Sequence, residues 1–337
     1  MNCCQSLFQR PAFWLAGFIA VIAVGFSGCQ KSENGRTFVT IGTAPGGGAF
    51  SAVGNAMANT LDANPSDNNW EVTAQGTKGT LENIRKLDSG DIEFGMANAA
   101  VTYFATRGEG AWKKSYKVNA VATMAPNVGV FVTTEGSGIK KIADLKGKRV
   151  VMGPAGAGFE YFLKPLLAVH GVQYEDMDVI SANYLESVEL IGDGKADAAF
   201  MGGAIPIPAV SSLSATEDVV FVQFDEDAPQ KLMEQHPFYF PVTIPAAKYS
   251  DLDEDMLGIN VGNMMLITHA DMDEELVYQV TKGIYENREA IADQHPAGRA
   301  LAAKNIVRDT GIEFHPGSIR FFKEAGIWPE ADAEQAN

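Results

Sequence analysis

Two glycine-rich turns are the parts of this chain best suited to binding chemistry. The first covers residues 42–48 (GTAPGGG) and precedes a helical pattern that opens at Ala49, and the second covers residues 153–158 (GPAGAG) and precedes one that opens at Phe159. A loop without side chains lets backbone N–H groups approach an anion, and the helix N-terminus behind it carries a partial positive charge. Each turn therefore predicts a cradle for a carboxylate.

The first turn supplies the predicted cradle from Gly47, Gly48 and Ala49, with the hydroxyl of Ser51 beside them. The alternative is that the turn is only a tight connection. Neither Lys-Ser nor Lys-Thr follows the glycines, which excludes a P-loop. No G-x-G-x-x-G with a later acidic residue ends the first strand, which excludes a dinucleotide fingerprint.

A second cluster of polar groups follows the next β-type run, in the segment QGTKGT at residues 75–80. Gln75 and Thr77 are predicted ligand contacts, because the ends of parallel strands line the cleft of an open α/β sheet. Thr80 belongs to the same site, although capping of the following helix accounts for it equally well. Lys78 is the cation of this loop, placed either to pair with an acidic ligand or simply in solvent.

Further candidates occupy equivalent strand ends. Asn98 ends a strand and Tyr103 lies on the helix that follows, with a plain turn as the alternative for Asn98. In the second half, Phe159 either covers the apolar stem of the ligand or belongs to the core. The backbone contacts predicted for this half are Gly156, Gly158 and Gly203.

The sequence pattern around these turns occurs twice along the chain, which indicates two α/β lobes. Each strand–turn–helix unit continues into a helix and a strand of matching pattern, LENI to GDI at residues 81–92 and LESV to GKA at residues 185–196. The apolar stretches 120–132 and 260–268 are predicted crossovers between the lobes. We therefore predict a first lobe of residues 37–130 and 258–337 and a second lobe of residues 131–257, facing each other across a cleft.

The composition excludes several classes of function. The chain has 337 residues and a formal charge of −16, and nucleic-acid binding needs a basic face. Its five histidines are scattered without metal-ligand spacing, and no G-x-S-x-G elbow is present. We predict no metal, no cofactor and no catalytic residue. The acidic stretch 251–255 indicates a solvated loop, with a weak calcium site as the alternative.

The N-terminal residues predict export. An apolar run at residues 13–26 follows Arg10 and ends in FSGC, which indicates a lipoprotein-type signal peptide of residues 1–28. Lipidation is predicted at Cys29, followed by a polar tether to residue 36, and the alternative is an ordinary signal peptide cut elsewhere. Because the other cysteines are Cys3 and Cys4, no disulfide is possible in the exported body.

The chain resembles the TAXI-type solute receptors of tripartite ATP-independent periplasmic (TRAP) transporters. The resemblance spans about residues 37–326 and rests on motifs that keep their order: IGT with GGG near residues 41–48, QGTKGTLEN at 75–83, LDSGDI at 87–92, DLKGKRV at 144–150, GKADAAF at 194–200, PIPAV at 206–210 and HPGS at 315–318. Two departures stand out, since Lys78 interrupts the usual Thr-Gly-Gly-Ser, and Phe50-Ser51 replaces an aromatic pair.

The resemblance implies a type II periplasmic-binding-protein fold, with two lobes that close over a small carboxylate of the glutamate, glutamine or 2-oxoglutarate class. It adds Phe50 to the predicted ligand contacts and TRAP membrane permease subunits to the partners. The predicted protein is a lipid-anchored periplasmic receptor and not an enzyme. The alternative is a sensor subunit of the same fold that feeds a membrane histidine kinase.

Overall fold

The computed structural model describes residues 36–44, 49–65 and 68–329. In chain order its strands are β1 Thr37–Gly42, β2 Trp70–Gln75, β3 Phe94–Asn98, β4 Val118–Thr123, β5 Val128–Thr134, β6 Arg149–Val151, β7 Asp178–Ile180, β8 Ala198–Gly203, β9 Val219–Val222, β10 Tyr239–Ile244, β11 Met256–Val261 and β12 Met264–His269. Its α-helices are α1 Ala49–Ala63, α2 Thr80–Ser89, α3 Ala99–Arg107, α4 Glu160–Ala168, α5 Tyr184–Gly192, α6 Pro208–Ser214, α7 Ala228–Gln235, α8 Glu274–Glu286, α9 Arg288–Gln294, α10 Ala303–Ile306 and α11 Pro316–Glu324.

The strands form two sheets, which define two lobes. Lobe I contains the five-stranded sheet β2-β1-β3-β12-β4, and lobe II contains the seven-stranded sheet β10-β11-β5-β8-β6-β7, with β9 paired to β5. In lobe I the parallel strands β2, β1 and β3 are followed by antiparallel β12. In lobe II the parallel strands β7, β6 and β8 are followed by antiparallel β5. The repeated sequence pattern thus corresponds to the same order and direction of strands in both sheets.

The chain passes between the lobes at two short connections. Residues 124–127 join β4 to β5, and residues 262–263 join β11 to β12. The apolar stretch 260–268 is therefore two strands separated by Gly262-Asn263, and not one continuous strand. The lobe limits predicted at 130/131 and 257/258 cut through β5 and β11, which pair only within the sheet of lobe II. We propose that the limits lie within the two connections instead.

Burial explains why the parallel strands form. All five residues of β3 are buried, as expected for a strand covered by helices on both faces. Helix α2 buries Ile84 and Leu87 against this sheet and ends at Gly90, whose positive φ of 75° lets its N–H reach the carbonyls of the last turn. The sheet ends are therefore held in fixed positions, which a binding cleft requires.

Helix α11 begins with a buried histidine cap. The Nδ1 atom of His315 accepts the N–H of Gly317 at 3.2 Å, so its proton lies on Nε2. Burial lowers the pKa of His315 below 6.5, and this effect is larger than the opposite effect of the nearby carboxylates of Glu274 and Asp273. Burial likewise lowers the pKa of His170, beside Asp225, and of His236.

Acidification is expected to destabilise the protein through these histidines. Their folded pKa lies below the unfolded value, so the unfolded chain binds more protons and stability falls as the pH drops through 6.5. Urea midpoints at pH 7.5 and 5.5 measure the loss. His315→Asn keeps a cap but removes the titration, so it should lose less than the wild type. If His315→Asn and the control His269→Asn lose equal stability between pH 7.5 and 5.5, the lowered pKa of His315 is not a cause of the loss.

Candidate functional site

The strand ends of lobe I hold the first group of predicted residues. The hydroxyl of Thr77 is buried, donates to the carbonyl of Thr43 at 3.0 Å and accepts the N–H of Gly79 at 3.1 Å. The hydroxyl of Thr43 donates to the carbonyl of Gln75 at 3.1 Å. These bonds fix the loop that follows β2. The side chains of Gln75 and Lys78 on the same loop are exposed.

Helix α2 starts beside this loop. Its first residue, Thr80, is buried, and its hydroxyl accepts the N–H of Asn98 at 3.0 Å. The carboxamide of Asn83, fully buried one turn later, donates to the carbonyls of Gly42, Thr43 and Met96. Sequence reasoning did not single out Asn83, which joins the ends of β1 and β3. No side chain caps α2, which leaves its first N–H groups without a side-chain partner.

Asn98 lies at the junction of the lobes. Its Oδ1 accepts the N–H groups of Ala100 and Val101 at 2.9 and 3.3 Å and so caps α3. Its Nδ2 donates to the carbonyl of Gly262 at 2.9 Å, in the second connection. Asn98 is 5 % exposed, and its carboxamide is engaged with the backbone on both sides. Its predicted contact with a ligand stays a prediction, and the structure gives it a role at the junction.

The side chains of two further asparagines, Asn260 and Asn263, hold the two connections together, and no periodic pattern in the sequence marks them. Asn260 accepts the N–H of Asn127 at 2.8 Å and donates to the carbonyl of Phe238 and to Asn263. Asn263 donates to the carbonyl of Met124 at 2.8 Å. Both Asn260 and Asn263 are fully buried. Side-chain amides therefore satisfy backbone groups where the sheets stop.

Tyr103 lies on α3 at the boundary between the lobes. Its ring packs edge-on against His236 and Phe238 of lobe II, with centroids 5.5 and 5.3 Å away. The guanidinium of Arg107 lies 3.5 Å over the same ring. The neighbouring ring of Phe104 packs on Tyr161 of lobe II at 5.6 Å. Tyr103 thus joins an aromatic cluster across the lobes, and its predicted ligand contact remains untested.

The glycine turn of lobe II encloses Phe159. A Cβ on Gly153, whose φ is 91°, would lie 2.2 Å from the Phe159 ring, so only glycine leaves room for it. The ring also packs on Phe162 and Phe200 at 5.1 and 5.8 Å. Phe159 is half-buried and packs against a buried apolar cluster that contains residues of both lobes.

Two polar side chains that sequence reasoning missed lie beside the end of β8. The hydroxyl of Tyr184 accepts the N–H of Gly202 at 2.8 Å. The Oδ1 of Asn127 lies 3.0 Å from where a Cβ on Gly202 would stand. The predicted contact Gly203 is the next residue and is half-buried. The repeated pattern contained the signal, because it aligns Tyr184 with Thr80 as the first residue of the matching helix.

The two lobes touch at the starts of α2 and α4. A Cβ on Gly158 would lie 3.5 Å from Cγ of Leu81 and 3.3 Å from Cγ2 of Val101, both in lobe I. Helix α4 begins two residues later, and like α2 it has no side-chain cap. Asn98 and Asn183 cap α3 and α5 instead. The starts of α2 and α4, which belong to different lobes and have no side-chain cap, therefore lie close together at this contact.

The remaining predicted contacts belong to the first turn. Gly47 and Gly48 lie outside the described residues. Ala49 and Phe50 open α1 and pack on the lobe I core while remaining half-buried. The carbonyl of Ser51 accepts the side-chain amide of Asn55 at 2.7 Å. The predicted lipidation site Cys29, the signal peptide and the tether up to residue 35 also lie outside the described residues.

Within the described ranges, no group of three or more His, Cys, Asp or Glu side chains is placed to hold a metal ion. In the acidic stretch 251–255, Asp251 accepts the N–H of Val219 and Asp255 accepts that of Ala246. These carboxylates fix neighbouring backbone. No helix of the described part is long and apolar enough to cross a membrane.

Comparison with known proteins identifies the fold. The chain matches the NMT1-like family over residues 41–326. A structure from work on glutathione import by GshT and the cystine importer TcyBC of Streptococcus mutans is similar at 15 % identity and a TM-score of 0.51, covering 81 % of this chain and 98 % of that one. XAC2383 of Xanthomonas citri, bound to chloride, is similar at 9 % identity and a TM-score of 0.50, covering 86 % and 97 %.

The periplasmic aliphatic sulphonate binding protein SsuA of Escherichia coli is similar at 17 % identity and a TM-score of 0.49, covering 88 % of this chain and 87 % of that one. At such low identities these similarities concern the fold alone. The prediction of a two-lobe α/β fold of the periplasmic-binding-protein type is confirmed by the two sheets and by the similarity to the Streptococcus mutans structure, whose TM-score is 0.51.

Proposed function

The chain belongs to the NMT1-like family, and we propose that it is an extracytoplasmic solute-binding receptor that captures a small organic acid between its two lobes. The observation that carries this proposal is the meeting of the uncapped starts of α2 and α4 at the lobe boundary. An anion bound there is stabilised by donors from both lobes at once. A ligand held in this way favours the closed arrangement over an open one.

The finer assignment follows the sequence resemblance. We propose a TAXI-type receptor that delivers its ligand to TRAP membrane permease subunits and is anchored through a lipid on Cys29. Glutamate, glutamine and 2-oxoglutarate define the starting ligand class. The mechanism is binding and hinged closure without turnover, since the cleft residues described above offer hydrogen-bond donors and no paired acid and base.

A panel of small acids, followed by thermal unfolding of the purified protein, tests the receptor function. At a concentration 100 times its Kd, a ligand that binds only the folded state adds about 2.7 kcal/mol to the free energy of unfolding. We expect at least one carboxylate to raise the Tm, and calorimetry to give one site per chain. The proposal fails if none of these acids raises the Tm.

Lys78→Gln is expected to weaken the binding of the acid about tenfold. Lys78 is exposed at the start of α2, and its ammonium has no ion-pair partner among the described residues. A hydrogen bond to a charged group contributes about 1.5–3 kcal/mol, part of which glutamine restores. Calorimetric titration measures the change, with Lys140→Gln, an exposed lysine before β6, as the control. Equal affinities in the two variants would remove Lys78 from the site.

A further inference from the structure

The segments that end the strands at the cleft are almost free of charge. Among the described residues of these segments, one side chain is charged, that of Lys78. The segments are 43–44, 75–80, 98–99, 124–127, 152–159, 181–184, 202–207 and 262–263. One cation balances one negative charge of a ligand. A second carboxylate enclosed here would lack a cation.

Three carboxylates lie in the first turns of the helices that follow these segments, and two of them are engaged. Glu82, in the first turn of α2, accepts the N–H of Lys78 at 3.0 Å. Glu186, in the first turn of α5, accepts the N–H of Asn183 at 3.0 Å. Both are used to fix the loops before their helices. The third, Glu160, is the first residue of α4 and has no hydrogen bond or ion pair among the described residues, so it adds a negative charge that a second ligand carboxylate would meet.

The cleft side of lobe II offers uncharged hydrogen-bonding groups instead. Because the Tyr184 oxygen accepts the N–H of Gly202, its own proton remains available to a further acceptor. Burial raises the pKa of the Tyr184 hydroxyl well above 10, so it stays protonated at neutral pH. The Phe159 ring, 6.3 Å from the Tyr184 ring, limits the directions in which the phenol can turn.

Asn127 provides the second uncharged group. Its backbone N–H donates to Asn260, which fixes the residue in the first connection. Its carboxamide is half-buried beside Gly202, and no hydrogen bond of that carboxamide is found among the described residues. An amide supplies one acceptor and two donors without charge. Tyr184 and Asn127 therefore offer donors and acceptors next to the same backbone position.

Resting on the receptor function proposed above, we infer that the site selects acids with a single negative charge and an uncharged second polar group. Lobe I, with Lys78 and the start of α2, binds the carboxylate. The hydroxyl of Tyr184 and the amide of Asn127 bind an amide, keto or hydroxyl group at the other end. Dicarboxylates are the class that this site disfavours.

Five-carbon acids of matched size test the charge rule on the full chain. The probes are glutaramate and 4-oxopentanoate, each with one negative charge, and glutarate with two. We expect calorimetry to give Kd values at least tenfold lower for the two monoanions than for glutarate. Tightest binding of glutarate overturns the inference but leaves the receptor function intact. If these acids, glutamate and 2-oxoglutarate all fail to bind, the receptor function fails as well.

Tyr184→Phe tests the second subsite. We expect glutaramate to bind at least fivefold more weakly, while pentanoate, which lacks the distal polar group, changes by less than twofold. Tyr249→Phe is the matched control, because its hydroxyl also accepts a backbone N–H of this loop, that of Ile207 at 2.6 Å. Equal losses for both ligands, or the same selective loss in Tyr249→Phe, would show that Tyr184 only supports the loop and would overturn its assigned role.

Discussion

Replacing Asn98 with Ala is expected to lower the free energy of unfolding by about 3 kcal/mol. The loss of a helix cap costs about 1 kcal/mol, and a buried backbone group left without a partner costs about 1–3 kcal/mol more. Asn98 serves both purposes, since it caps α3 and donates to the carbonyl of Gly262 at the lobe connection. The substitution removes the cap of α3 and the hydrogen bond to Gly262 at a residue that is 5 % exposed.

Urea unfolding measures the effect against Asn183→Ala. Asn183 caps α5 in the same way, but it is exposed and has no bond to a connection, so its loss should cost about 1 kcal/mol. Asn98→Asp retains the acceptor and loses the donor, and it should fall between these two variants. If Asn98→Ala costs no more than Asn183→Ala, the bond to Gly262 contributes nothing and the junction role of Asn98 is wrong.

Gly158→Val is expected to keep the lobes from closing and to weaken ligand binding at least tenfold. The φ of Gly158 is 84°, and its Cβ position already touches Leu81 and Val101 of lobe I. The two γ-methyl groups of valine extend beyond that position and meet the same side chains. Small-angle scattering should therefore give a larger radius of gyration than for the wild type, and the radius should not contract when the ligand is added.

Gly156→Val provides a control with the same backbone cost. Gly156 has a φ of 74°, but no atom lies within 4 Å of its Cβ position. Both variants place a β-branched residue in the left-handed region, at about 1–3 kcal/mol, and only Gly158→Val adds the contact with lobe I. Equal effects on affinity in the two variants would mean that backbone strain, and not the meeting of the lobes, controls binding.

The sequence predicted the architecture well because the architecture depends on local pattern. Strands that are covered on both faces are mostly apolar, and the positive-φ glycines at residues 90 and 158 mark turns that other residues disfavour. The same pattern aligned the two halves of the chain. That alignment predicts that the ends of β1–β3 and β6–β8 line one cleft.

The details of the site were less accessible from the sequence. The sequence predicts Thr77 and Asn98 as ligand contacts, yet their polar side-chain atoms form hydrogen bonds with backbone groups of the loop and of the connection. Tyr184 and Asn127 were not chosen, although both flank Gly202. A polar residue at a strand end has the same sequence signal whether its side chain turns inward or toward the cleft.

The sequence by itself determined the repeated α/β units, the two glycine turns and the scarcity of charge at the strand ends, because each follows from residue type and spacing along the chain. Tertiary structure alone decided where the lobes divide, which helix starts stay uncapped and which polar groups remain available. These properties depend on partners such as Gly262 for Asn98 and Leu81 for Gly158, which lie far away along the chain. Buried backbone groups at strand ends must be hydrogen-bonded, and only the folded structure shows which side chains form those bonds.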